Sequence, residues 1–235
     1  MRRLPPRLLA LTPGTVGPAH VERFAHAAAR AIAAGLEGVL LREPELSDRA
    51  VLELAHALRA RLDEGVSAAS APADVQRDDG ARSERRGWLA VHDRVHLARA
   101  ARADAIHLGF RSLAPADARS VLPEDVALGF SAHAGDDAAA WAACDYLLLG
   151  PVHDTPSKRG VKEPLGLDGF ARELARAPRP VWALGGITAA NAGEALARGA
   201  RGVAVRAAVF GAGEPALAVR ALLAALDGAT SPRTP

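Results

Sequence analysis

Among 235 residues the chain has one cysteine, one methionine, one tyrosine and, in Lys158 and Lys162, two lysines; 4% of it is aromatic. A lone Cys144 excludes an internal disulfide framework and a cysteine-built metal cage. No stretch approaches the roughly 20 uninterrupted apolar residues that span a bilayer. The basic start Met1–Pro6 is followed by neither a continuous apolar segment nor a small-residue cleavage site, so a soluble cytoplasmic protein without membrane contact is expected. Few aromatics leave little to stack bases on. The arginines are dispersed among acidic residues and the net charge is only +2, so nucleic acid is not an expected partner either.

What is abundant is apolar: 49% of the chain is hydrophobic, enough for a full core. Short apolar runs predict strands over Arg7–Leu11, Leu36–Leu41, Trp88–Val91, Ala105–Leu108, Val126–Phe130, Tyr146–Leu149, Val181–Leu184 and Gly202–Val205. Between them, Ala/Leu/Arg-rich periodic segments predict helices over Ala19–Ala34, Asp48–Leu62, Val95–Ala101, Asp136–Ala143, Leu167–Ala175, Ala190–Arg198 and Pro215–Leu226. Apolar strands alternating with helices imply parallel pairing with both sheet faces covered. Eight such strands in this length fit an α/β fold of one domain, a (β/α)8 TIM barrel over 1–228. An open doubly wound sheet fits less well, because Leu11-Thr12-Pro13-Gly14 is no dinucleotide fingerprint. A polar stretch at about 63–86 reads as a surface insertion, and 229–235 as a frayed tail.

A barrel of this kind builds its site at the carboxyl ends of its strands. There the chain places Thr12, Arg42-Glu43, His92-Asp93, His107, Ser131, His133, the Thr155–Lys158 loop, Gly185-Gly186 and Arg206. Two glycines after strand seven and Val205-Arg206 opening a helical stretch after strand eight point to phosphate binding; a tight turn alone would also use paired glycines. Both lysines fall in one Gly/Pro-containing segment of an otherwise arginine-using chain, which suits an anion clamp or a solvent-exposed loop. His133 has the residue type for proton transfer near neutrality. His107 reads as a hydrogen-bonded interior residue, Asp104 and Asp145 as structural groups at the opposite face, and none of the histidines shows metal-ligand spacing.

With these residues in order, the sequence resembles the thiamine phosphate synthase/TenI family. The resemblance covers about Arg7 to Leu226 and rests on Leu40-Leu41-Arg42-Glu43, Val91-His92-Asp93-Arg94-Val95, Asp104-Ala105-Ile106-His107-Leu108-Gly109, Gly129-Phe130-Ser131-Ala132-His133, Asp145–Val152, Thr155-Pro156-Ser157-Lys158 and Ala183–Thr188 with Asn191. It implies a (β/α)8 barrel and one of two activities. A synthase joins hydroxymethylpyrimidine pyrophosphate to thiazole phosphate with Mg²⁺; a TenI-type tautomerase aromatises a carboxythiazole ethyl phosphate without metal. Against the synthase pattern, Pro44 replaces a lysine, His92 an asparagine and Ser112 a carboxylate, leaving Asp93 as the one Mg²⁺ ligand. The expectation drawn is therefore an isomerase of thiamine biosynthesis, a metal-independent thiazole tautomerase acting on a small phosphorylated thiazole. In that reading His133 is the proton shuttle and Arg42 and Lys158 hold the substrate carboxylate. His92, Ser131 and Thr155 are further substrate contacts, and Gly185, Gly186, Val205 and Arg206 bind phosphate. No cofactor is expected, with Mg²⁺ at Asp93 only for the synthase alternative; a non-catalytic phosphate-ligand binder is the other alternative. The resemblance also implies a homo-oligomer.

Overall fold

The computed structural model describes residues 2–69, 87–155 and 163–229. Eight parallel strands follow one another around a closed barrel: β1 (Leu8–Leu11), β2 (Gly38–Leu41), β3 (Trp88–His92), β4 (Ala105–Leu108), β5 (Ala127–Ala132), β6 (Tyr146–Leu149), β7 (Val181–Leu184) and β8 (Gly202–Val205), with β8 pairing back onto β1. Each predicted strand is present within two residues of its expected bounds. The helices are α1 (Val21–Ala33), α2 (Asp48–Ala69), α3 (Pro115–Val121), α4 (Gly166–Arg176), α5 (Ala192–Ala197), α6 (Ala207–Phe210) and α7 (Pro215–Asp227). None among the described residues is long and apolar enough to cross a membrane.

Alternation along each strand sorts side chains into two cores. Leu8, Ala10, Val39, Leu41, Leu89 and Val91 point outward and pack under the helices; on α1 the meeting face is Phe24, Ala28, Ala31 and Ile32, spaced as a helical stripe requires. Leu9, Leu11, Leu40, Trp88, Ala90, Ala105, Ala127, Tyr146, Leu148, Trp182 and Ala204 point inward and fill the barrel. Three bulky rings share that interior with four alanines, so large and small interdigitate. Trp88 and Trp182 each meet Tyr146 edge to face, with centroids 5.8 and 5.9 Å away. Both indoles donate to the N-terminal segment that crosses the barrel bottom, Trp88 to the Arg3 carbonyl (3.1 Å) and Trp182 to that of Pro6 (2.8 Å).

The same bottom face is held by ion pairs. Asp104, at the entrance to β4, accepts from the Leu89 amide (2.9 Å), from Arg3 (2.8 Å) and from Arg59 of α2. Arg59 is itself buried and donates to the Gly87 carbonyl at 2.6 Å. Asp145 repeats the device before β6, accepting from Arg2, Arg119 and the Leu128 amide.

Three expectations change. Val95–Ala101 and Asp136–Ala143 form single 3-10 turns, Val95–Leu97 and Ala138–Trp141, rather than helices. Each sinks an anchor, Leu97 or Trp141, after one turn, and the short path to the next strand leaves no room for more. Helix α3 was not expected; its start is marked by Pro115 in the first turn. Helix α2 continues to Ala69, into the stretch 63–86 expected as an insertion; 70–86 and the tail 230–235 lie outside the described residues.

Two measurements check this packing. Asp104→Ala strands a buried guanidinium and should lower the unfolding free energy by about 3–5 kcal/mol in urea melts; a loss under about 1 kcal/mol would contradict the buried pair. Burial, with Asp145 beside it, pushes the Cys144 thiol up to about 12. Iodoacetamide at pH 8 should therefore leave native protein unlabelled and modify it only in denaturant.

Candidate active site

The carboxyl ends of the strands surround a cavity of about 1030 Å³. Arg42, His92, Asp93, His107, Ser131, His133, Thr155, Gly185, Gly186, Val205 and Arg206 all line it, so the fold brings together residues scattered over most of the sequence. Lys158 lies outside the described residues. Leu11, Leu40, Leu148, Leu184 and Ala204 give the cavity an apolar floor.

Its positive charge is placed by β2 and β8. The Arg42 amide donates to Thr12 Oγ1 at 2.8 Å, which fixes the backbone after β2. The next residue, Glu43, also borders the cavity but is buried and accepts from the amides of Gly14 (2.9 Å) and Val16 (2.7 Å), so it braces the loop after β1. Arg206 is half-buried, and burial together with nearby Arg42 holds its guanidinium below the usual arginine range, with Glu43 opposing. Neither guanidinium has a hydrogen-bond or ion-pair partner among the described residues. Two unpaired cations on one wall are an arrangement that an anion completes.

Beside them, Gly185 and Gly186 have φ of 98° and 66°, a region closed to most side chains. A Cβ on Gly186 would also meet His153 and Asp154 at under 3 Å. Asn191 locks the turn, donating from Nδ2 to the Gly186 carbonyl (3.0 Å) and accepting from the Thr188 amide (2.8 Å). This turn and the one at Val205-Arg206 border the cavity together.

Across the cavity, β3 and β4 present histidines. Burial first, then Arg42, lowers His92 to about 4, and burial and His92 hold His107 well below the ordinary imidazole value. Both rings are thus neutral near pH 7; their centroids are 6.2 Å apart. Asp93 follows with φ of 67°, its amide donating to the His107 carbonyl at 3.0 Å. Arg94 ties that turn to α2 through Asp48 (2.8 Å) and the Leu46 carbonyl (2.5 Å). A non-glycine residue in the left-handed region is strained and is held there by its surroundings. Ser112 lines the cavity with its hydroxyl accepting from the Gly109 amide at 2.8 Å, and Arg111 stacks on the exposed ring of Phe110. His133 is nearly buried, with Nδ1 3.7 Å from the Asp136 carboxylate. Phe110 at the rim carried no signal in the sequence beyond following a strand end.

The closed barrel, with a cavity at the carboxyl ends of its strands bordered by unpaired guanidiniums and glycine turns, places the chain in the (β/α)8 class. Residues 79–209 match the sequence profile of the thiamine monophosphate synthase (TMP-TENI) family. The chain is 41% identical over 206 residues to a Geobacter sulfurreducens protein carrying a provisional thiamine-phosphate synthase name, covering 87% of this chain and 85% of that one. To the thiamine-phosphate synthase of Moorella thermoacetica it is 36% identical over 194 residues, 82% and 83% of the two chains. The solved thiamine phosphate pyrophosphorylase of Pyrococcus furiosus superposes with a TM-score of 0.74 at 25% identity, over 94% of this chain and 95% of that one. The chain belongs to the thiamine monophosphate synthase family, and with it to the enzymes of thiamine biosynthesis.

These relatives overturn the tautomerase and isomerase expectation. They carry synthase and pyrophosphorylase names, and nothing among them marks the TenI branch. The physical reason is that Mg²⁺ is usually held by one or two carboxylates together with substrate phosphates. Ser112 in place of one carboxylate is therefore compatible with either activity and does not by itself favour the tautomerase.

The paired guanidiniums predict that inorganic pyrophosphate binds and raises the melting temperature. Arg42→Ala and Arg206→Ala should each weaken that binding about 10- to 100-fold by calorimetry; unchanged affinity in both would place the anion elsewhere.

Proposed function

We propose that the chain is a thiamine-phosphate synthase, a transferase that couples hydroxymethylpyrimidine pyrophosphate to thiazole phosphate. The observation that carries this reading is one cavity of about 1030 Å³ with Arg42, Arg206 and Asp93 on its lining. That volume lies at the upper end for small-molecule sites and leaves room for two ring substrates. In the reaction the bond from the pyrimidine methylene carbon to oxygen breaks, and its electron pair leaves with pyrophosphate. The lone pair of the thiazole nitrogen forms the new carbon–nitrogen bond.

The turns at Gly185-Gly186 and Val205-Arg206 hold the phosphate of the thiazole, which fixes its ring relative to the floor. Arg42 faces the departing pyrophosphate, where a permanent positive charge in a half-enclosed site stabilises the charge that develops. Among the described residues no group of three or more His, Cys, Asp or Glu could hold a metal unaided. The residues do fit a Mg²⁺ ion that takes its remaining ligands from pyrophosphate oxygens, with Asp93 as the carboxylate that would hold it. Bound there, the ion supplies further positive charge against the leaving group. Forming the carbon–nitrogen bond moves no proton at the attacking nitrogen, so the reaction requires no shuttle at His133.

Incubation with both substrates and Mg²⁺ should yield thiamine phosphate and pyrophosphate in equal amounts. Chelation should stop the reaction, and Asp93→Asn and Arg42→Ala should each lower kcat by about 10²–10³-fold. No product from wild-type enzyme with both substrates and Mg²⁺ would overturn the assignment.

A further inference from the structure

The rim of the cavity carries a third guanidinium that the coupling reaction described above leaves unused. Strand β4 runs out into a turn over Gly109, Phe110, Arg111 and Ser112. Ser112 closes that turn twice: its amide donates to the Gly109 carbonyl at 3.0 Å, and its Oγ accepts from the Gly109 amide at 2.8 Å. Phe110 and Arg111 are therefore the central pair of a fixed β-turn, and both border the cavity. The Phe110 ring is 70% exposed, so packing in the core does not explain it. Arg111 lies over that ring, its guanidinium carbon 5.1 Å from the centroid, and has no hydrogen bond or ion pair among the described residues.

Strand order places this turn. Strands β2, β3 and β4 are consecutive in the ring of eight, so Arg42, Asp93 and the Phe110-Arg111 turn share one arc of the rim. Strands β7 and β8 stand opposite β3 and β4, so the turns at Gly185-Gly186 and Val205-Arg206 lie on the far arc. Gly109 seats the rim turn against β3, where a Cβ would lie 3.4 Å from Nε2 of His92, the residue before Asp93. On the near arc Arg94 is tied to Asp48, and Glu43 to two backbone amides. Arg42 and Arg111 are the cations that remain there for an anion. An exposed guanidinium resting on a phenyl face is held weakly. A phosphate oxygen offers the same group a charge-assisted hydrogen bond, which is shorter and stronger. Only side-chain rotation separates the two partners, because the turn beneath is already closed.

We propose that Arg111 is a further catalytic residue, a rim cation that leaves the Phe110 ring and closes on the pyrophosphate held by Arg42. Phe110 is its perch in the empty site. Once closed, Arg111 adds positive charge beside the oxygens that take up the electron pair of the breaking carbon–oxygen bond. The thiazole phosphate, on the far arc, lies outside its contact. The catalytic role rests on the synthase reading, whereas the transfer of Arg111 from ring to pyrophosphate does not.

Binding, position and turnover test these separately. By calorimetry, inorganic pyrophosphate should bind wild type about tenfold more tightly than Arg111→Ala, with Arg111→Lys between them. Thiazole phosphate should bind all three alike. In proton NMR the δ-methylene signals of Arg111, assigned by their absence from Arg111→Ala, should be shifted upfield by the Phe110 ring and should lose that shift when pyrophosphate is added. With both substrates and Mg²⁺, Arg111→Ala should lower kcat about tenfold, less than loss of a preorganised group. Unchanged pyrophosphate affinity in Arg111→Ala overturns the proposal, and so does a ring shift that survives saturating pyrophosphate. Equal weakening of pyrophosphate and thiazole phosphate overturns it too, because the arginine would then serve the whole cavity. If wild type turns over and Arg111→Ala matches its rate, the catalytic role falls and the synthase reading stands. If wild type forms no product, the synthase reading and the catalytic role fall together, and the pyrophosphate titrations alone decide the contact.

Discussion

Eight short parallel strands closed on themselves enclose a space that must be filled from within, because each strand is only four to six residues long and both its faces are buried. Here the filling is done by Trp88, Tyr146 and Trp182 set among alanines. Everything above depends on that tier. It gives the cavity a solid floor and fixes the height at which His107 and Ser131 emerge. It also uses the single tyrosine and two of the three tryptophans in a chain poor in aromatic residues.

The two ends of the barrel differ in how their charges are spent. At the bottom, Asp104 pairs with Arg3 and Arg59, Asp145 with Arg2 and Arg119, and each takes a backbone amide as well. Those charges close the strand entrances, each guanidinium on a carboxylate partner. At the top, Arg42 and Arg206 share a wall with no hydrogen-bonded counter-ion among the described residues. The same residue type is therefore paired at one face and left unpaired at the other. The difference lies in whether a carboxylate from a neighbouring strand is within reach.

Much of the site was readable along the chain because a barrel converts sequence order into angular position. A polar residue directly after an apolar run must sit at the carboxyl end of a strand, which is why Arg42, Asp93, Ser131, Gly185 and Arg206 could be named together. The choice of reaction is where the residues misled: Ser112 in place of a carboxylate pointed to an isomerase, whereas the relatives carry synthase names, and a substrate phosphate can supply metal ligands that a side chain does not. His133 drew attention by residue type, although a coupling that shifts no proton at nitrogen needs no such shuttle.

The sequence by itself determined the fold class, the eight strands and the face on which the polar cavity opens, because hydrophobic periodicity and strand order are local properties. It did not determine that Arg59 of α2 lies buried against Asp104, that Glu43 is a loop brace, or that Gly129 is small so that Tyr146 can reach His107. Each of these joins residues far apart in the chain or on different strands, at separations set by barrel closure and register. Only the tertiary structure brings a tyrosine, a histidine and a serine from three strands into one hydrogen-bonded line.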